Sequence, residues 1–424
     1  MSKLYLSILI FNVVNNTILG QKLSFQLLTD LQLPNSGNAN GNFYSREQKI
    51  SEFLDYSGRP DILLVNSFSS ETSVNYFLDN VLNVNGIGHY KYEYYDYNLG
   101  THPWLSALFY DSTKIHFDGR LDIIPPEYFY SFVRYDLSTT DSIGKVHPLK
   151  IFTNHLSACY FDAPGCEDVR LQLAKEMDLV LGLDSLSNFI IAGHLSYTGS
   201  NDPGYQYVTQ SMNYPFYDPI YKSGKWYYDS TYPEIWTGST RNTQFDNASN
   251  SNGMTMRTSY IFLSEPLMSG RFGAKYDSSS YRIFGNDGNR TFGSKIIDAP
   301  ANTDVPANIA DVLYHIGNQL PIQIKIDLNA SFTPLPSSIS KNMKPNDLNV
   351  SLSTQELKLF TNQFHEGIEI AVYNLNGEEI ESFQLKQIKR VHNLSLSKTI
   401  PIGFYVVKIK TPQRLRSIKA IANP

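Results

Sequence analysis

Two histidines in this sequence follow predicted buried strands, and they are the side chains best suited to acid–base or metal chemistry. His155 comes after the apolar run Lys150–Thr153, and His194 comes after Phe189–Ala192. A positioned imidazole transfers protons near neutral pH, and imidazole also suits zinc or copper. Because the sequence offers no clear third ligand, we favour a hydrogen-bonded polar pair over a metal site.

The elements that would position these histidines alternate between short apolar runs and helical patterns. An apolar run of about 4–8 residues bounded by turn residues is typical of a buried strand. Alternating buried strands and helices predict a layered α/β or α+β sandwich. The predicted strands include Asp61–Val65, Leu105–Tyr110, Lys150–Thr153, Phe189–Ala192 and Tyr260–Leu263, and the predicted helices are Arg46–Tyr56, Thr72–Leu82 and Asp168–Leu183.

Length and charge limit the classes of protein that fit. The chain has 424 residues, which predicts two or three domains. Its formal net charge is −5. Proteins that hold nucleic acid through backbone phosphates normally carry a basic patch, so this balance argues against nucleic acid as a partner. A nuclease that gains positive charge from a bound metal remains compatible with it.

The first twenty residues have the three-part pattern of a secretory signal peptide. Lys3 precedes the apolar run Leu4–Val14, and Gly20-Gln21 is a suitable cleavage point. The run is too short to span a bilayer comfortably, and no later stretch of the sequence reaches transmembrane length. We therefore expect residues 1–20 to be removed and the mature protein to be exported without a transmembrane segment.

The two cysteines enclose a short loop. Cys159 and Cys166 flank a segment in which Pro164 and Gly165 form a turn. In an oxidising compartment a disulfide between them is reasonable, and no Cys or His stands at ligand spacing to suggest a metal site. The spacing alone does not show that the geometry permits the bridge.

The composition changes beyond residue 331. Phe332–Ser338 is rich in proline and serine, which is typical of a linker. The alternating runs Ile368–Tyr373 and Gly403–Lys410 then predict a small C-terminal all-β sandwich domain. The predicted division is a signal peptide over 1–20, a main domain over 21–330, a linker over 331–345 and the C-terminal domain over 346–424.

The tail carries Lys344-Pro345-Asn346 near its start, Ile370–Tyr373 followed by Asn376-Gly377, then Gly403–Tyr405 and a basic last strand. In this order the segments resemble the C-terminal sorting domain of the type IX secretion system, although Asp347 replaces the usual second proline. The resemblance implies that the type IX secretion machinery is a partner. It also implies that the protein is secreted, or held at the outer cell surface, by a Gram-negative bacterium. A plain β-sandwich accessory module is the alternative.

Six ordered segments of the main domain resemble the metal-dependent endonuclease/exonuclease/phosphatase superfamily. They are Pro60–Val65, Asn154–Leu156, Ile191–Ser196, Gly253–Ser264, Gly285–Gly288 and Gly317–Ile322. The resemblance implies a four-layer sandwich of two β-sheets flanked by helices. It also implies hydrolysis of phosphate esters, with magnesium or manganese stabilising the developing charge.

Most positions that carry chemistry in that superfamily hold neutral residues here. The resemblance places Gln26 at the first-strand asparagine and Ser67, or Asn66 if the register slips by one, at the metal-binding glutamate, whereas magnesium prefers carboxylates. Losing one general acid or base typically costs about 10²- to 10⁴-fold in rate. We therefore predict an inactive site with no cofactor. The remaining positions of this vestigial site are Asn154, His155, His194, Ser196, Ser259, Asn318 and Gln319, of which His155 alone keeps the superfamily's catalytic residue.

An aromatic-rich stretch, Tyr205–Trp236, includes Trp226 and Trp236. Exposed aromatics with polar neighbours often mark glycan or protein recognition, so these tryptophans are candidate binding residues. Arg257 is a further candidate that would contact phosphate. The alternatives are an insertion that packs on the core and a structural ion pair.

The sequence thus supports two functional hypotheses. The first is an exported, inactive protein that acts by binding a protein or glycan or as a scaffold. The second is a divalent-metal-dependent nuclease, phosphodiesterase or phosphatase with a rearranged active site. The second needs acidic residues near His155, and the sequence identifies none.

Overall fold

The computed structural model describes residues 21–29, 43–96, 105–123, 132–155, 165–181, 187–242, 252–331, 348–374, 378–401, 403–411 and 414–423. The predicted signal peptide, Cys159, most of the predicted linker and the Lys344-Pro345-Asn346 motif lie outside these residues. Cys166 is buried at the start of a helix, and its disulfide with Cys159 stays a prediction.

The described residues up to 331 contain the predicted strands and helices, although five strands between residues 90 and 155 follow one another with no helix described between them. The strands are β1 (Lys22–Leu28), β2 (Ile62–Phe68), β3 (Tyr90–Asp96), β4 (Leu105–Asp111), β5 (Ile115–Ile123), β6 (Phe132–Thr140), β7 (Val146–His155), β8 (Asn188–His194), β9 (Ser259–Leu263), β10 (Ala274–Tyr276), β11 (Arg282–Ile283) and β12 (Ile322–Leu328). The α-helices are α1 (Phe43–Ser57), α2 (Glu71–Phe77), α3 (Cys166–Leu181), α4 (Pro203–Gln206), α5 (Glu265–Ser269) and α6 (Ala307–Ile316). Two π-helical segments, Leu78–Leu82 and Tyr207–Ser211, continue α2 and α4, and a 3₁₀ turn spans Pro233–Ile235.

These strands form two sheets, and each sheet contains one parallel pair. Sheet 1 has the order β10-β12-β1-β2-β4-β3, with β11 beside β12, and sheet 2 has the order β5-β6-β7-β8-β9. The pair β1–β2 is parallel in sheet 1, and the pair β7–β8 is parallel in sheet 2. Parallel neighbours need a crossover, which α1 supplies between β1 and β2 and α3 supplies between β7 and β8.

Alternation along β8 shows how the layers pack. Ile190 and Ala192 belong to the core shared with sheet 1, whereas Phe189 and Ile191 pack in the cluster that contains Met177 of α3. Successive side chains of a strand point to opposite faces, so β8 is buried on both. Sheet 2 therefore lies between sheet 1 and α3.

Helices α1 and α6 cover the remaining face of sheet 1. Phe53 and Leu54 of α1 are buried in the same core as Ile309 of α6. The Arg46 guanidinium donates to the carbonyl of Ile316 at 2.6 Å, which ties α1 to the C-terminal end of α6. Helices, sheet 1, sheet 2 and helix α3 make four layers, so the predicted four-layer α/β sandwich is confirmed.

The C-terminal strands form a separate all-β sheet with a core of its own. They are β13 (Leu348–Ser353), β14 (Glu356–Asn374), β15 (Glu379–Ser395), β16 (Gly403–Thr411) and β17 (Arg414–Asn423). The long strand β14 shifts register between Phe360 and Phe364, pairing with β13 before the shift and with β16 after it. Leu357, Val372 and Val407 are fully buried in this core. The small C-terminal β fold is confirmed; the domain boundaries and the sorting role stay predictions.

Among the described residues, no helix combines the length and apolar character needed to span a membrane.

Candidate functional site

The predicted site residues gather where the two parallel strand pairs end. His155 at the end of β7 is in register with His194 at the end of β8, and His194 is in register with Ser259 at the start of β9. For His155 the structure describes the backbone alone. Across the sandwich, β1 ends just before Thr29 and β2 contains Ser67. The structure therefore brings most of the predicted residues to one end of the fold.

A hydroxyl pair joins the two sheets at this end. The side-chain oxygens of Thr29 and Ser259 lie 2.5 Å apart, and both residues are buried. The Thr237 hydroxyl accepts from the backbone N–H of Thr258 at 2.9 Å and from that of Ser259 at 3.1 Å. The site is therefore fixed by short hydrogen bonds among neutral groups.

Gln319 extends this set. The Thr258 hydroxyl donates to Gln319 Oε1, and Gln319 packs on Gly238, where a Cβ would lie 2.4 Å from the same oxygen. We call Thr29, Thr237, Thr258, Ser259 and Gln319 the neutral network; all five are at least 97% buried.

Asn318 lies beside this network and is also buried. Its carbonyl accepts from Thr240 N–H at 3.1 Å. Neither polar atom of its side chain has a hydrogen-bond partner among the described residues, and the same is true of Gln319 Nε2.

Two of the predicted site residues adopt an uncommon backbone conformation. Ser67 has φ 77° at a register shift between Asn66 and Phe68, and Ser196 has φ 53° just after β8. Left-handed conformations at non-glycine residues cost about 1–3 kcal/mol and cluster at functional sites. Local backbone strain therefore lies at two of the predicted site positions.

Asn66 forms a second polar link between the sheets. Its Nδ2 donates to Ser106 Oγ at 2.5 Å and to Thr153 Oγ1 at 3.4 Å. Asn66 and Ser106 belong to sheet 1, and Thr153 belongs to sheet 2. The end of β2 thus contributes an amide and a serine, and no carboxylate.

Gly193 permits the close approach of β7 and β8 at the histidines. A Cβ at this position would lie 2.2 Å from the backbone oxygen of Asn154. Beyond it, the backbone N–H groups of Leu195 and Ser196 donate to the carbonyl of Thr258 at 3.0 and 3.4 Å. His194, Asn154 and Ser196 are all buried by this packing.

Gln26 is the predicted residue that the structure separates from the others. Its Oε1 accepts from the Ser57 hydroxyl of α1 at 3.2 Å, which places it on the helix side of sheet 1. Thr29, three residues further on, contacts the site instead. Residues an odd number of positions apart on a strand point to opposite faces of the sheet. This alternation is the sequence signal that would have identified Thr29. Thr237 and Thr258 carry no such signal.

The donor groups present do not fit the superfamily's metal. Magnesium prefers carboxylate oxygens, whereas the neutral network offers hydroxyls and an amide. Within the residues that the structure describes, no group of three or more His, Cys, Asp or Glu side chains is arranged to hold a metal ion. Glu71, the acidic residue nearest Ser67 in the sequence, is exposed at the first position of α2.

The predicted binding role of the tryptophans is corrected by their burial. Trp226 and Trp236 are each 1% exposed, and Arg257 is fully buried. The Trp226 indole packs in the cluster with Tyr205 and Phe262, and its ring centroid lies 4.8 Å from that of Tyr205. The aromatic insertion is therefore an additional packed layer on sheet 2, and these three side chains are not available to a ligand.

Arg257 instead forms an internal ion pair. Its two terminal nitrogens donate to the Asp218 carboxylate at 2.7 and 2.9 Å, and Tyr205 donates to the same carboxylate at 3.0 Å. Burial opposes the charge on Arg257, but the attraction of Asp218 outweighs it and raises the pKa of the guanidinium. The arginine is thus a structural charge that is neutralised within the protein.

No protein-family model matches this chain, and no curated protein matches it in sequence. The chain is similar in structure to members of the endonuclease/exonuclease/phosphatase superfamily. An endonuclease/exonuclease/phosphatase family protein from Bacteroides thetaiotaomicron gives a TM-score of 0.45 at 14% identity, covering 73% of this chain and 99% of that chain. A mannosyl-6-phosphatase from the same bacterium gives a TM-score of 0.44 at 14% identity, covering 72% of this chain and 99% of that chain. D. rerio TDP2 complexed with a single-strand DNA product gives a TM-score of 0.45 at 12% identity, covering 72% of this chain and 99% of that chain. At these values the similarity says nothing of the activity of this chain.

Proposed function

We propose that this chain is an exported protein of the endonuclease/exonuclease/phosphatase fold that does not hydrolyse phosphate esters and acts as a binding or scaffold protein. The observation that carries the proposal is the neutral network. It occupies the end of the sandwich at which the resemblance predicts a metal ligand, a general base and an orienting carboxylate. Thr29, Ser259 and Gln319 supply only hydroxyl and amide groups there.

Two buried carboxylates of the described residues, Asp202 and Asp218, are paired with arginines. Asp218 is held by Arg257 at 2.7 Å, and Asp202 is held by Arg170 at 2.8 Å with both side chains fully buried. Freeing either carboxylate would leave a buried, unpaired charge, which is costly in a protein interior. These pairs therefore support the proposal that neither acid serves a reaction.

The rate expected of such a site is low. A metal ion and its ligands supply the dominant electrostatic stabilisation in phosphate-ester hydrolysis, and a positioned acid or base adds about 10²- to 10⁴-fold. Several losses in one site are not additive, but they leave little rate that is specific to the enzyme. His155 alone would not restore it, because a general base needs a partner that orients it.

Export is the second part of the proposal. It is supported by the basic start, apolar run and cleavage point over residues 1–20, and by the order of motifs in residues 346–424. The type IX secretion machinery is the proposed partner of the C-terminal region, and the proposed location is the cell surface or the medium. In a Gram-negative host with this machinery, the chain truncated after residue 345 should accumulate in the periplasm. Release of the truncated chain at the level of the full chain would overturn this part.

A second function, metal-dependent phosphodiesterase or nuclease, is favoured by one observation. The backbones of His155 and His194 are in register at neighbouring strand ends, an arrangement from which imidazoles could converge on a ligand. This alternative requires turnover that depends on His155.

The deciding experiment measures hydrolysis by the mature chain with magnesium and with manganese. The substrates are single- and double-stranded DNA, bis-p-nitrophenyl phosphate and p-nitrophenyl phosphate. We expect rates at the level of buffer for the wild type and for His155→Ala. His116→Ala is the matched control, because His116 is 79% exposed on β5. Turnover that His155→Ala abolishes and His116→Ala retains would overturn the proposal.

A further inference from the structure

Exposed aromatic side chains lie at the surface of the insertion, outside the buried tryptophans. Tyr228 is 40% exposed and Phe292 is 48% exposed, and their ring centroids are 5.9 Å apart. The ring of Tyr227 meets that of Tyr228 edge to face at 4.6 Å. We call Tyr227, Tyr228 and Phe292 the aromatic platform. Two distant segments of the chain thus place three rings together at the surface.

The platform is built on a fixed base. Tyr227 forms a β-bridge with Met256, and the neighbouring Trp226 backbone N–H donates to the carbonyl of Thr198 at 2.9 Å. Phe292 contacts the buried Trp236, with ring centroids 6.2 Å apart. Rings fixed in this way lose little conformational entropy when a ligand binds.

Tyr228 adopts a backbone conformation that is rare for a large side chain. Its φ is 47°, in the left-handed region. Such conformations persist only where the surrounding structure enforces them, and they cluster at functional sites. This is a second observation at Tyr228 that is independent of its exposure, although Arg59, Ser67, Asn85, Ser196 and Asn329 also have positive φ.

The charged groups around the platform are largely committed to other contacts. Arg290 and Asp287 form an ion pair at 3.0 Å with both side chains 1% exposed. Asp229 accepts from the backbone N–H of Thr231 at 2.8 Å, and the Lys225 ammonium lies over the Tyr227 ring at 5.9 Å from its centroid. A charged ligand would therefore find few groups to recognise it.

Besides Lys225 and Asp229, several uncharged polar side chains lie near the platform. Asn242, Asn289 and Thr291 are exposed, and Asn242 Nδ2 lies 3.5 Å from the carbonyl of Gly293, next to Phe292. Amides and hydroxyls both donate and accept hydrogen bonds, which matches the hydroxyl groups of a sugar. Aromatic faces carry partial negative charge and attract the C–H groups of a sugar ring.

We propose that the aromatic platform is a binding site for a neutral glycan, in which Tyr228 and Phe292 stack on sugar rings and the flanking amides bind their hydroxyls. The proposal deepens the binding part of the proposed function and does not depend on the absence of catalysis. A nucleic acid ligand fits less well, because the described residues beside the platform form no cluster of basic side chains of the kind that phosphates require.

The test is binding of the mature full chain to an array of neutral oligosaccharides, followed by titration calorimetry with the best-bound member. Tyr228→Ala and Phe292→Ala should each weaken binding about tenfold or more, as expected for central aromatic contacts. Tyr221→Ala is the matched control, since Tyr221 is 54% exposed in the same insertion but stacks on Tyr205. It should leave binding unchanged.

Three outcomes would overturn the proposal. In the first, the wild type binds no neutral oligosaccharide. In the second, Tyr221→Ala weakens glycan binding as much as Tyr228→Ala and Phe292→Ala do. In the third, the platform variants lose a homodimer and do not lose glycan binding. Melting temperatures confirm that each variant is folded, and Tyr228→Phe keeps the ring if Tyr228→Ala does not fold. Hydrolysis of a phosphate ester with intact glycan binding would count against the proposed function and leave the platform standing.

Discussion

The side-chain oxygens of Thr29 and Ser259 lie 2.5 Å apart and connect the two β-sheets at the end where the predicted site residues gather. Thr29 follows β1 of sheet 1, and Ser259 begins β9 of sheet 2. A carboxylate at position 259 would orient a catalytic histidine in the superfamily that the sequence resembles. Here the same position closes a neutral contact between the layers, which suits a structural role.

This contact should be measurable as a coupling energy. Ser259→Ala leaves the buried Thr29 hydroxyl without this partner, so we expect a loss of about 1–3 kcal/mol in the free energy of unfolding. Thr29→Val should cost a similar amount, and the double variant should cost less than the sum. Urea unfolding of the four proteins gives the cycle. Ser223→Ala, at an exposed serine, should stay within about 0.5 kcal/mol. Strictly additive costs would show that the two hydroxyls do not interact.

Gly193 should tolerate no larger residue. Its Cβ would meet the Asn154 backbone oxygen at 2.2 Å, so Gly193→Ala must push β8 away from β7. Overpacking of this kind typically costs about 1–3 kcal/mol. Gly88→Ala is the matched control, because nothing lies within 4 Å of a Cβ built there. Thermal unfolding of both variants tests the difference, and equal melting temperatures would contradict the close approach of the two strands.

The buried ion pair between Asp218 and Arg257 should contribute far more to the free energy of unfolding than an exposed pair does. Asp218→Asn leaves the Arg257 charge buried with no counter-charge from Asp218, and we expect it to cost about 3–5 kcal/mol. Glu234→Gln removes the partner of Lys222 in a pair whose side chains are 39% and 44% exposed, and it should cost at most about 1 kcal/mol. Urea unfolding compares the two. Comparable losses would mean that the insertion does not pack on sheet 2 as described.

One surface pair should make stability depend on pH. Hydrogen bonds from Lys22 and then from Ser279 lower the pKa of Asp277 to about 2. Because the folded pKa lies below the unfolded value of about 4, the stabilisation is complete above pH 4 and is lost as the pH falls towards 2. Asp277→Asn should therefore cost at most about 1 kcal/mol at pH 7, since Lys22 is half exposed.

The measurement is the melting temperature of wild type and Asp277→Asn between pH 7 and pH 3. The gap between them should narrow below pH 4. Ser223→Ala, at an exposed serine that carries no charge, is the control and should follow the wild type at every pH. A difference in melting temperature between wild type and Asp277→Asn that grows as the pH falls would contradict the lowered pKa of Asp277.

Divalent metal should leave the protein's stability unchanged. A ligand that binds the folded state raises the free energy of unfolding by about 2.7 kcal/mol at a concentration of 100 times its Kd. Because the neutral network offers no carboxylate, we expect equal melting temperatures with magnesium, with manganese and with EDTA. A melting temperature that rises with metal in the wild type and in Ser223→Ala, but not in Ser259→Ala, would identify a metal site at the neutral network. It would contradict the conclusion that these donor groups do not fit magnesium.

The sequence determined the fold and the strand ends at which the site lies, because hydrophobic periodicity is a local property of a chain. The buried runs around Leu64 and Ile190 became central strands, and His155, His194 and Ser259 came into one row. Alignment by resemblance named Gln26 on β1, whereas the side chain that contacts Ser259 comes from Thr29, just after β1. Strand alternation decides that, and it depends on the register that sheet 1 adopts.

Exposure was decided by the tertiary structure alone. Nothing in the composition of Tyr205–Trp236 distinguishes Trp226 and Trp236, which are buried, from Tyr228, which is exposed. The distinction arises when the insertion folds back on sheet 2 and Phe292, 64 positions further along the chain, arrives beside Tyr228. Contacts between segments so far apart in sequence are fixed by packing, and no local pattern encodes them.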